Sequence, residues 1–418
     1  MSADSVLLIQ LQAVTGDWVD VGYLRSTRDQ TNWFEFLESY WNLQDRPVLG
    51  QVFEEHGRSW TPSARVALPH WFSHLLSEGM LRRAVAEAAH VNTHREFELL
   101  RRLGAADLPG AVRAVSTTVL RDDSVSPSHP AENDSAEYVD PLLKFSLAGV
   151  QLKFSVYGDE RGLTVPARGR AGNVILKFPD GRPGFSGVPQ AELGSLELAR
   201  AAEIEAPKAF LVAPSAVGGL EDWAKRTSES ALAVPRFDRG LADKRVHMEE
   251  IAQVMDIPTA RESAKYRRAN FETIAVIVEA LTGTANVGDV IDRIVLNVLV
   301  GNGDAHLKNW AVLYPDGRRP VLSPVYDVVP TVLYMPNDDL GLNLGGSKKF
   351  SDITAGSFDR IGSRTQFGVT ESRRRVADAV SRVLDNWSVL RDHLAAEDLR
   401  RLTDRQATLA LLGHSRPV

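Results

Sequence analysis

The stretch Gly301-Asn302-Gly303-Asp304-Ala305-His306-Leu307-Lys308-Asn309 sets a carboxylate and a carboxamide five residues apart in a loop punctuated by glycine. Phosphoryl transfer needs an acceptor for a hydroxyl proton and oxygen ligands for magnesium, held close together. In protein kinases an Asp and an Asn at this spacing supply both from one loop. Asp304 is therefore a candidate catalytic base and Asn309 a candidate metal ligand. Gly301 and Gly303 permit a tight exit from the element before them. Asp327 follows in Leu322-Ser323-Pro324-Val325-Tyr326-Asp327-Val328-Val329-Pro330, an apolar, strand-like run at a distance that suits a hairpin return. A carboxylate embedded there needs a counter-ion, and magnesium would provide one. Plainer readings stand beside these. Asp, His, Lys and Asn are ordinary turn residues, Asp304 can cap a turn, and His306 and Lys308 taken singly are expected in water.

Lys177, in Asn173-Val174-Ile175-Leu176-Lys177-Phe178-Pro179, is the second clue. A lysine inside an apolar strand is costly unless its ammonium finds an anion. The phosphates of ATP would satisfy it, assisted by Glu192 in the first turn of the following helix. The plain alternative is an edge strand with Lys177 in water. Upstream, Gly149 is flanked by small residues and by Gln151 and Lys153, a loose likeness to a phosphate-covering loop that matches neither G-x-G-x-x-G nor the Walker pattern. The order of these parts along the chain is that of a bilobal kinase: loop, strand lysine, helix glutamate, strand to turn, then Asp, Asn and Asp.

The elements that must position these groups are legible in outline. Residues 6–24 alternate around Thr15-Gly16-Asp17, which predicts a hairpin. Residues 69–107 show helical spacing in Leu75, Leu76, Met80, Leu81 and Val85, with Thr93-x-x-Glu96 as a capping box and Gly104 as a stop. Residues 121–139 are rich in Ser, Pro and Asp and predict a linker or mobile loop. Strands are expected in 142–157, 173–179 and 231–239, and a helix in 190–204. Residues 287–302 are apolar nearly all round, which predicts a buried central helix. Val376, Val380, Val383, Trp387 and Leu390 mark one face of another. The division expected is a small α/β unit over 1–120, a linker over 121–139, a β-rich lobe over 140–240 and a helical lobe over 241–418. The fold class is α+β, with two lobes around a cleft.

Composition limits the alternatives. The 418 residues are 44% hydrophobic and 24% charged, with a formal net charge of -6, so bulk charge would not drive the chain onto nucleic acid or an anionic membrane. The chain has no cysteine, which excludes disulfides, thiolate metal sites and a cysteine nucleophile and fits a reducing cytosol. Asp4 stands where a secretory leader would carry basic residues, and no apolar run is long enough to cross a bilayer, so a cytoplasmic location is expected.

Together these residues resemble the HipA family of bacterial toxin kinases. The family's SIAGAQEK-type stretch corresponds to Ser146-Leu147-Ala148-Gly149-Val150-Gln151-Leu152-Lys153, and its strand lysine to Lys177. Its ERFDR hinge corresponds to Pro235-Arg236-Phe237-Asp238-Arg239 and its GNxDAHxKN loop to residues 301–309. The PxYD segment is Pro324-Val325-Tyr326-Asp327, a later GG-K segment is Leu344-Gly345-Gly346-Ser347-Lys348-Lys349, and the first 110 residues resemble the small domain that precedes the kinase core. The resemblance implies a bilobal protein-kinase-like fold with a helical C-terminal lobe, and ATP and magnesium as cofactors. Asp304 would be the base, with Asn309 and Asp327 on magnesium. The nucleotide would be held by Ala148, Gly149, Val150, Gln151, Leu152, Lys153, Lys177 and Glu192, by Pro235, Arg236 and Phe237 around adenine, and by His306, Lys308, Asn309, Tyr326 and Asp327. Ser146 matches the autophosphorylated serine.

The resemblance further implies a helix-turn-helix, HipB-like antitoxin, operator DNA reached through it, and an aminoacyl-tRNA synthetase such as glutamyl-tRNA synthetase as substrate. Two positions depart from the family pattern. Pro235 replaces the usual Glu, which leaves a carbonyl acceptor but no N–H, and Ala191 precedes Glu192 where some members are polar. Two other functions stay open. One is a lipid or small-molecule kinase on the same scaffold. The other is a catalytically silent co-repressor bound to its antitoxin, against which the intact Asp304, Asn309, Asp327 and Lys177 weigh. Arg373-Arg374-Arg375 is expected to be a solvated face rather than a DNA contact.

Overall fold

Two strand-like runs joined by Thr15-Gly16-Asp17 close as the expected hairpin in the computed structural model, which describes residues 5–88, 90–105, 107–117, 153–166, 171–179, 184–220, 229–240, 244–259 and 261–413. Strand β1 (Ser5–Gln12) pairs antiparallel with β2 (Trp18–Ser26), and Gly16 turns the chain at a φ of 101°, which side chains rarely adopt. With β3 (Thr31–Phe36), β4 (Ser63–Arg65) and β5 (Val112–Ser116) they form a five-stranded sheet in the order β4-β3-β2-β1-β5. The linker 121–139, Ser146 and Ala148 to Leu152 lie outside the described residues.

The helical stretch expected over 69–107 forms in pieces: a turn at His70–Ser73, then α1 (Gly79–Ala88) and α2 (Glu96–Leu103). The capping box is not made. Arg95 is the N-cap of α2, and Glu96 instead accepts from the Leu68 N–H at 2.7 Å and pairs with Arg82 at 2.7 Å. A buried backbone donor and a guanidinium outweigh the local cap. Gly104 does end α2, but in right-handed conformation; a Cβ there would meet that of Ala114 at 2.6 Å, so close packing explains the glycine.

The second sheet has the order β7-β6-β8-β10-β9, from β6 (Lys153–Asp159), β7 (Gly162–Thr164), β8 (Val174–Lys177), β9 (Phe210–Val212) and β10 (Ala231–Pro235). Helix α3 (Val188–Ala201) lies between β8 and β9 in sequence and matches the expected helix. Phe154, Val156, Leu176 and Ala231 of this sheet share one apolar core with Leu7, Ile9, Phe34 and Phe53 of the first. The N-terminal sheet is thus packed directly on the lobe that carries Lys177.

Beyond β11 (His247–Glu250) helices dominate: α4 (Phe271–Thr282), α5 (Ala285–Val300), α6 (Val369–Asp385) and α7 (Ala396–Gln406). Helix α5 is buried along nearly its whole length, as its sequence predicts. Its buried Asp292 is held by Arg375 at 2.7 Å and Arg382 at 2.6 Å. Arg373 pairs with Asp359 and Arg374 with Glu371 and Asp378, so the triple arginine is committed within the chain. Val376, Val380 and Val383 are the buried face of α6, whereas Trp387 and Leu390 belong to the short turn Trp387–Asp392 after it.

Strands β12 (Ala311–Tyr314) and β13 (Val321–Leu322) complete a three-stranded sheet, β11-β12-β13, inside the helical lobe. The sequence reading expected a strand-like hairpin return over 322–330, of which Leu322 lies in β13, but not the β11 edge; the sheet holds the catalytic-loop candidate between α5 and β12. Asp327 is not on a strand. It sits in the loop after β13 at a φ of 55°, a left-handed conformation uncommon for a residue with a side chain.

Candidate active site

Helix α5 ends at Gly301, whose φ of 76° turns the chain out, while its N–H still reaches the Asn297 carbonyl at 3.0 Å. The loop that follows is pinned before it reaches Asp304. Buried Asn302 donates to Asn297 Oδ1 at 2.8 Å and accepts from the Asp304 N–H at 3.1 Å; Gly303 N–H donates to Thr331 Oγ1 at 2.8 Å. A short turn at Leu307–Asn309 brings the chain back, so that Asn309 Nδ2 donates to the Asp304 carbonyl at 2.8 Å. Asp304 and Asn309 thereby lie side by side at the mouth of the loop.

The Asp304 carboxylate is half-exposed, accepts a hydrogen bond from the Tyr266 hydroxyl, and lies 3.8 Å from His306 Nε2. Partial desolvation at the base of the loop raises the pKa of its carboxyl, an effect that the Tyr266 bond and Lys265 oppose and the Asp327 charge reinforces. His306 is buried rather than solvated. Burial, then the Lys265 charge, lower its pKa to about 3, and its Nδ1 accepts the Lys308 N–H at 3.2 Å. The neutral ring therefore carries its proton on Nε2, facing Asp304.

Opposite this loop stand two lysines. Lys153 and Lys177 are direct cross-strand partners on β6 and β8, a pairing that like charges disfavour unless an anion lies between them. Asp327 is that anion: Lys153 Nζ is 3.0 Å from Oδ2, and Lys177 Nζ contacts Oδ1. Lys177 also pairs with buried Glu192 from α3, as expected from the sequence. Burial alone would raise the Asp327 carboxyl, but the two ammoniums override it and hold it well below the usual carboxylate range. Glu192 moves the other way. Burial and the neighbouring Asp327 charge push it up despite Lys177, so Asp327 is the firmer partner of the lysines.

Asp327 and Asn309 offer one carboxylate and one carboxamide, with Asn302 Nδ2 reaching the Asp327 carbonyl at 3.4 Å to tie the two loops. Magnesium in kinases is held by such a pair together with phosphate oxygens. Two buried ammoniums beside it match the anionic partner. The residues fit a metal–triphosphate.

Other expected contacts are redirected. Arg236 is buried, with Asp107 at 2.8 Å and Asp238 at 2.7 Å, and Arg239 reaches Asp107 at 2.7 Å. Its backbone N–H is bonded to the Asn173 carbonyl at 2.9 Å. Its side chain ties the hinge to the N-terminal unit and does not face a nucleotide. Lys308, expected at the nucleotide, is likewise buried, with its ammonium 2.9 Å from Glu78 and 3.5 Å from Glu250. In both cases carboxylates far away in sequence capture the cation. Pro235 ends β10, half-buried, and Phe237 faces Tyr326 with ring centroids 5.4 Å apart. Tyr326 donates to the Lys308 carbonyl at 2.8 Å and so braces the catalytic loop from the hinge side. Sequence reading missed Tyr266, Asn302, Lys265 and Glu78. Only Asn302 carried a signal, its place inside the motif.

The Arg236 assignment gives an expected result. Arg236→Met leaves Asp107 and Asp238 short of a buried counter-ion and should cost about 3–5 kcal/mol of stability, read as a lower urea midpoint. Nucleotide affinity of the folded protein should not change. A loss of affinity at unchanged stability would restore Arg236 to the binding site.

A strand lysine and helix glutamate on one lobe, facing an Asp-Asn loop and a second Asp on the other, define a bilobal protein-kinase-like α+β fold. The chain belongs to the HipA family. Residues 12–115 match the HipA N-terminal domain and residues 145–387 the HipA-like C-terminal domain. It is 34% identical over 383 residues to the putative kinase Y4dM of Sinorhizobium fredii, covering 88% of each chain. It is 27% identical over 360 residues to Y4mE of the same organism, another putative kinase, covering 79% of this chain and 82% of that one. Its fold matches a chain of the Shewanella oneidensis toxin–antitoxin complex of HipA, HipB and operator DNA, with a TM-score of 0.70 over 97% of both chains at 18% identity. Among the described residues, no helix is long and apolar enough to cross a membrane.

Proposed function

We propose that the chain is an ATP- and magnesium-dependent serine/threonine protein kinase that acts in the cytoplasm as the toxin of a toxin–antitoxin module. The observation that carries this reading is the ion cluster of Lys177, Lys153, Glu192 and Asp327 facing the loop of Asp304 and Asn309. Bound magnesium–ATP would supply the transferable phosphoryl group and shield its charge. Lys177, steadied by Glu192, would bind phosphate oxygens, and Asp327 and Asn309 would hold the metal. The serine or threonine hydroxyl takes the place of the Tyr266 hydroxyl at Asp304, which receives its proton as the new oxygen–phosphorus bond forms and the bond to ADP breaks. The raised proton affinity of Asp304 favours that step.

The resemblance supports the finer assignments, and the HipA, HipB and operator DNA complex that the fold matches supports those of antitoxin and DNA. The partner is a helix-turn-helix, HipB-like antitoxin, with operator DNA contacted through it, and the substrate is an aminoacyl-tRNA synthetase such as glutamyl-tRNA synthetase. Phosphoproteomics after brief expression of this chain beside its Asp304→Asn form tests the substrate. A synthetase phosphorylated only by the active form is expected; no protein differing between the two would point to a lipid or small-molecule substrate.

Ser146 is proposed as the autophosphorylation site. A phosphate there would add about -1.5 to -2 charges on the segment that, by the family resemblance, covers the phosphates of ATP. The phosphorylated enzyme is therefore inactive. Ser146→Ala should lose most autophosphate, and a mass spectrum placing the phosphate on another residue would refute the assignment.

A further inference from the structure

We infer that Glu78 of the N-terminal domain is a positioning residue for phosphoryl transfer, clamping the catalytic loop from both flanks of Asp304; the inference rests on the kinase reading above. Glu78 stands just before α1, on the far side of the chain from the kinase motifs. Its Oε1 accepts from Lys308 Nζ at 2.9 Å and its Oε2 from Lys265 Nζ at 2.8 Å. Both lysines are buried, at 5% exposure each, so the contacts are sheltered from water. Lys308 adjoins Asn309 in the catalytic loop. Lys265 adjoins Tyr266, whose hydroxyl is bonded to Asp304. One carboxylate thus holds together the two segments that meet at the catalytic base.

The arrangement depends on Glu78 because, among the described residues, it is the carboxylate that hydrogen-bonds both ammoniums. Glu250, its pKa pushed up to about 7 by burial, lies 3.5 Å from Lys308 as its more distant second partner. Without Glu78 the two ammoniums repel, and Lys308 is drawn toward Glu250, taking the loop with it. Loop displacements of about 1 Å cost about 100-fold in rate when reacting groups are misaligned. Lys177 and Asp327, which hold the nucleotide in this account, stand on other elements. The effect should therefore fall more on kcat than on KM for magnesium–ATP, because Asn309 moves with the loop while Lys177 and Asp327 do not.

The test is steady-state and single-turnover phosphorylation by the full chain, with nucleotide-binding sites counted by titration so that any unfolded fraction is removed from the rate. Glu78→Gln is expected to lower kcat about 10- to 100-fold with a clearly smaller rise in KM for magnesium–ATP. Glu78→Asp should recover part of the loss. Adding Lys308→Met to Glu78→Gln should cost little more, because the two residues act as a unit. Arg58→Ala, which breaks the exposed pair with Glu38 in the same domain, should change nothing. Wild-type activity in Glu78→Gln, a rise in KM that matches the fall in kcat, or full additivity with Lys308→Met would overturn the inference while leaving the kinase reading intact. A wild-type chain that binds nucleotide and transfers no phosphate would instead remove the kinase reading and this inference with it.

Discussion

Lys177→Met is expected to weaken nucleotide binding at least 100-fold and to lower the stability of the ligand-free protein. Both effects follow from one ammonium that serves two carboxylates, buried Glu192 and partly exposed Asp327. Lys177 is 3% exposed and pairs with Glu192 and Asp327. Removing one partner from a buried ionic cluster costs about 3–5 kcal/mol, and here the lower end applies. Asp327 keeps Lys153 at 3.0 Å, and Glu192, already pushed up, can take a proton. Calorimetric titration with a non-hydrolysable magnesium–ATP analogue reads the first effect and a urea midpoint the second. Reduced stability with undiminished nucleotide affinity would show that Lys177 is only a structural cation.

Asp304→Asn is the sharper separation of chemistry from structure. Its carboxylate is half-exposed and, among the described residues, takes a side-chain hydrogen bond from the Tyr266 hydroxyl, which an amide oxygen can still accept. Stability should change little, and the nucleotide should bind as before, because Lys177, Asn309 and Asp327 are untouched. Turnover should fall by about 100- to 10,000-fold, since an amide cannot take the hydroxyl proton. Growth inhibition on expression should disappear with it. Toxicity that persists at wild-type strength would place the biological effect outside phosphoryl transfer.

Much of the candidate site was legible because its residues sit in short, chemically marked segments. Asp304 and Asn309 are five apart in one loop, and Lys177 interrupts an apolar strand. The Lys177–Glu192 pair followed from strand-then-helix order and is present. The buried helix α5 and the first hairpin were readable from periodicity alone. What escaped was set by partners distant in sequence. Lys308 belongs to the motif, yet its ammonium is claimed by Glu78, and Arg236 of the hinge is claimed by Asp107. No local pattern announces such pairs. Glu96 left its capping role for the same reason, to meet a buried N–H and Arg82. Asp327 looked strand-borne because its neighbours are apolar. Those neighbours are buried by tertiary packing, and Asp327 itself turns at a φ of 55°.

The central claim is that Lys177, Asp304, Asn309 and Asp327 together transfer the terminal phosphoryl group of ATP. It is tested most directly by incubating the purified full-length chain with magnesium and ATP labelled at either the α or the γ phosphorus. Label should enter protein from the γ position alone, require magnesium, and vanish in Asp304→Asn. Incorporation from the α position, or none from either while the nucleotide is demonstrably bound, would contradict the account.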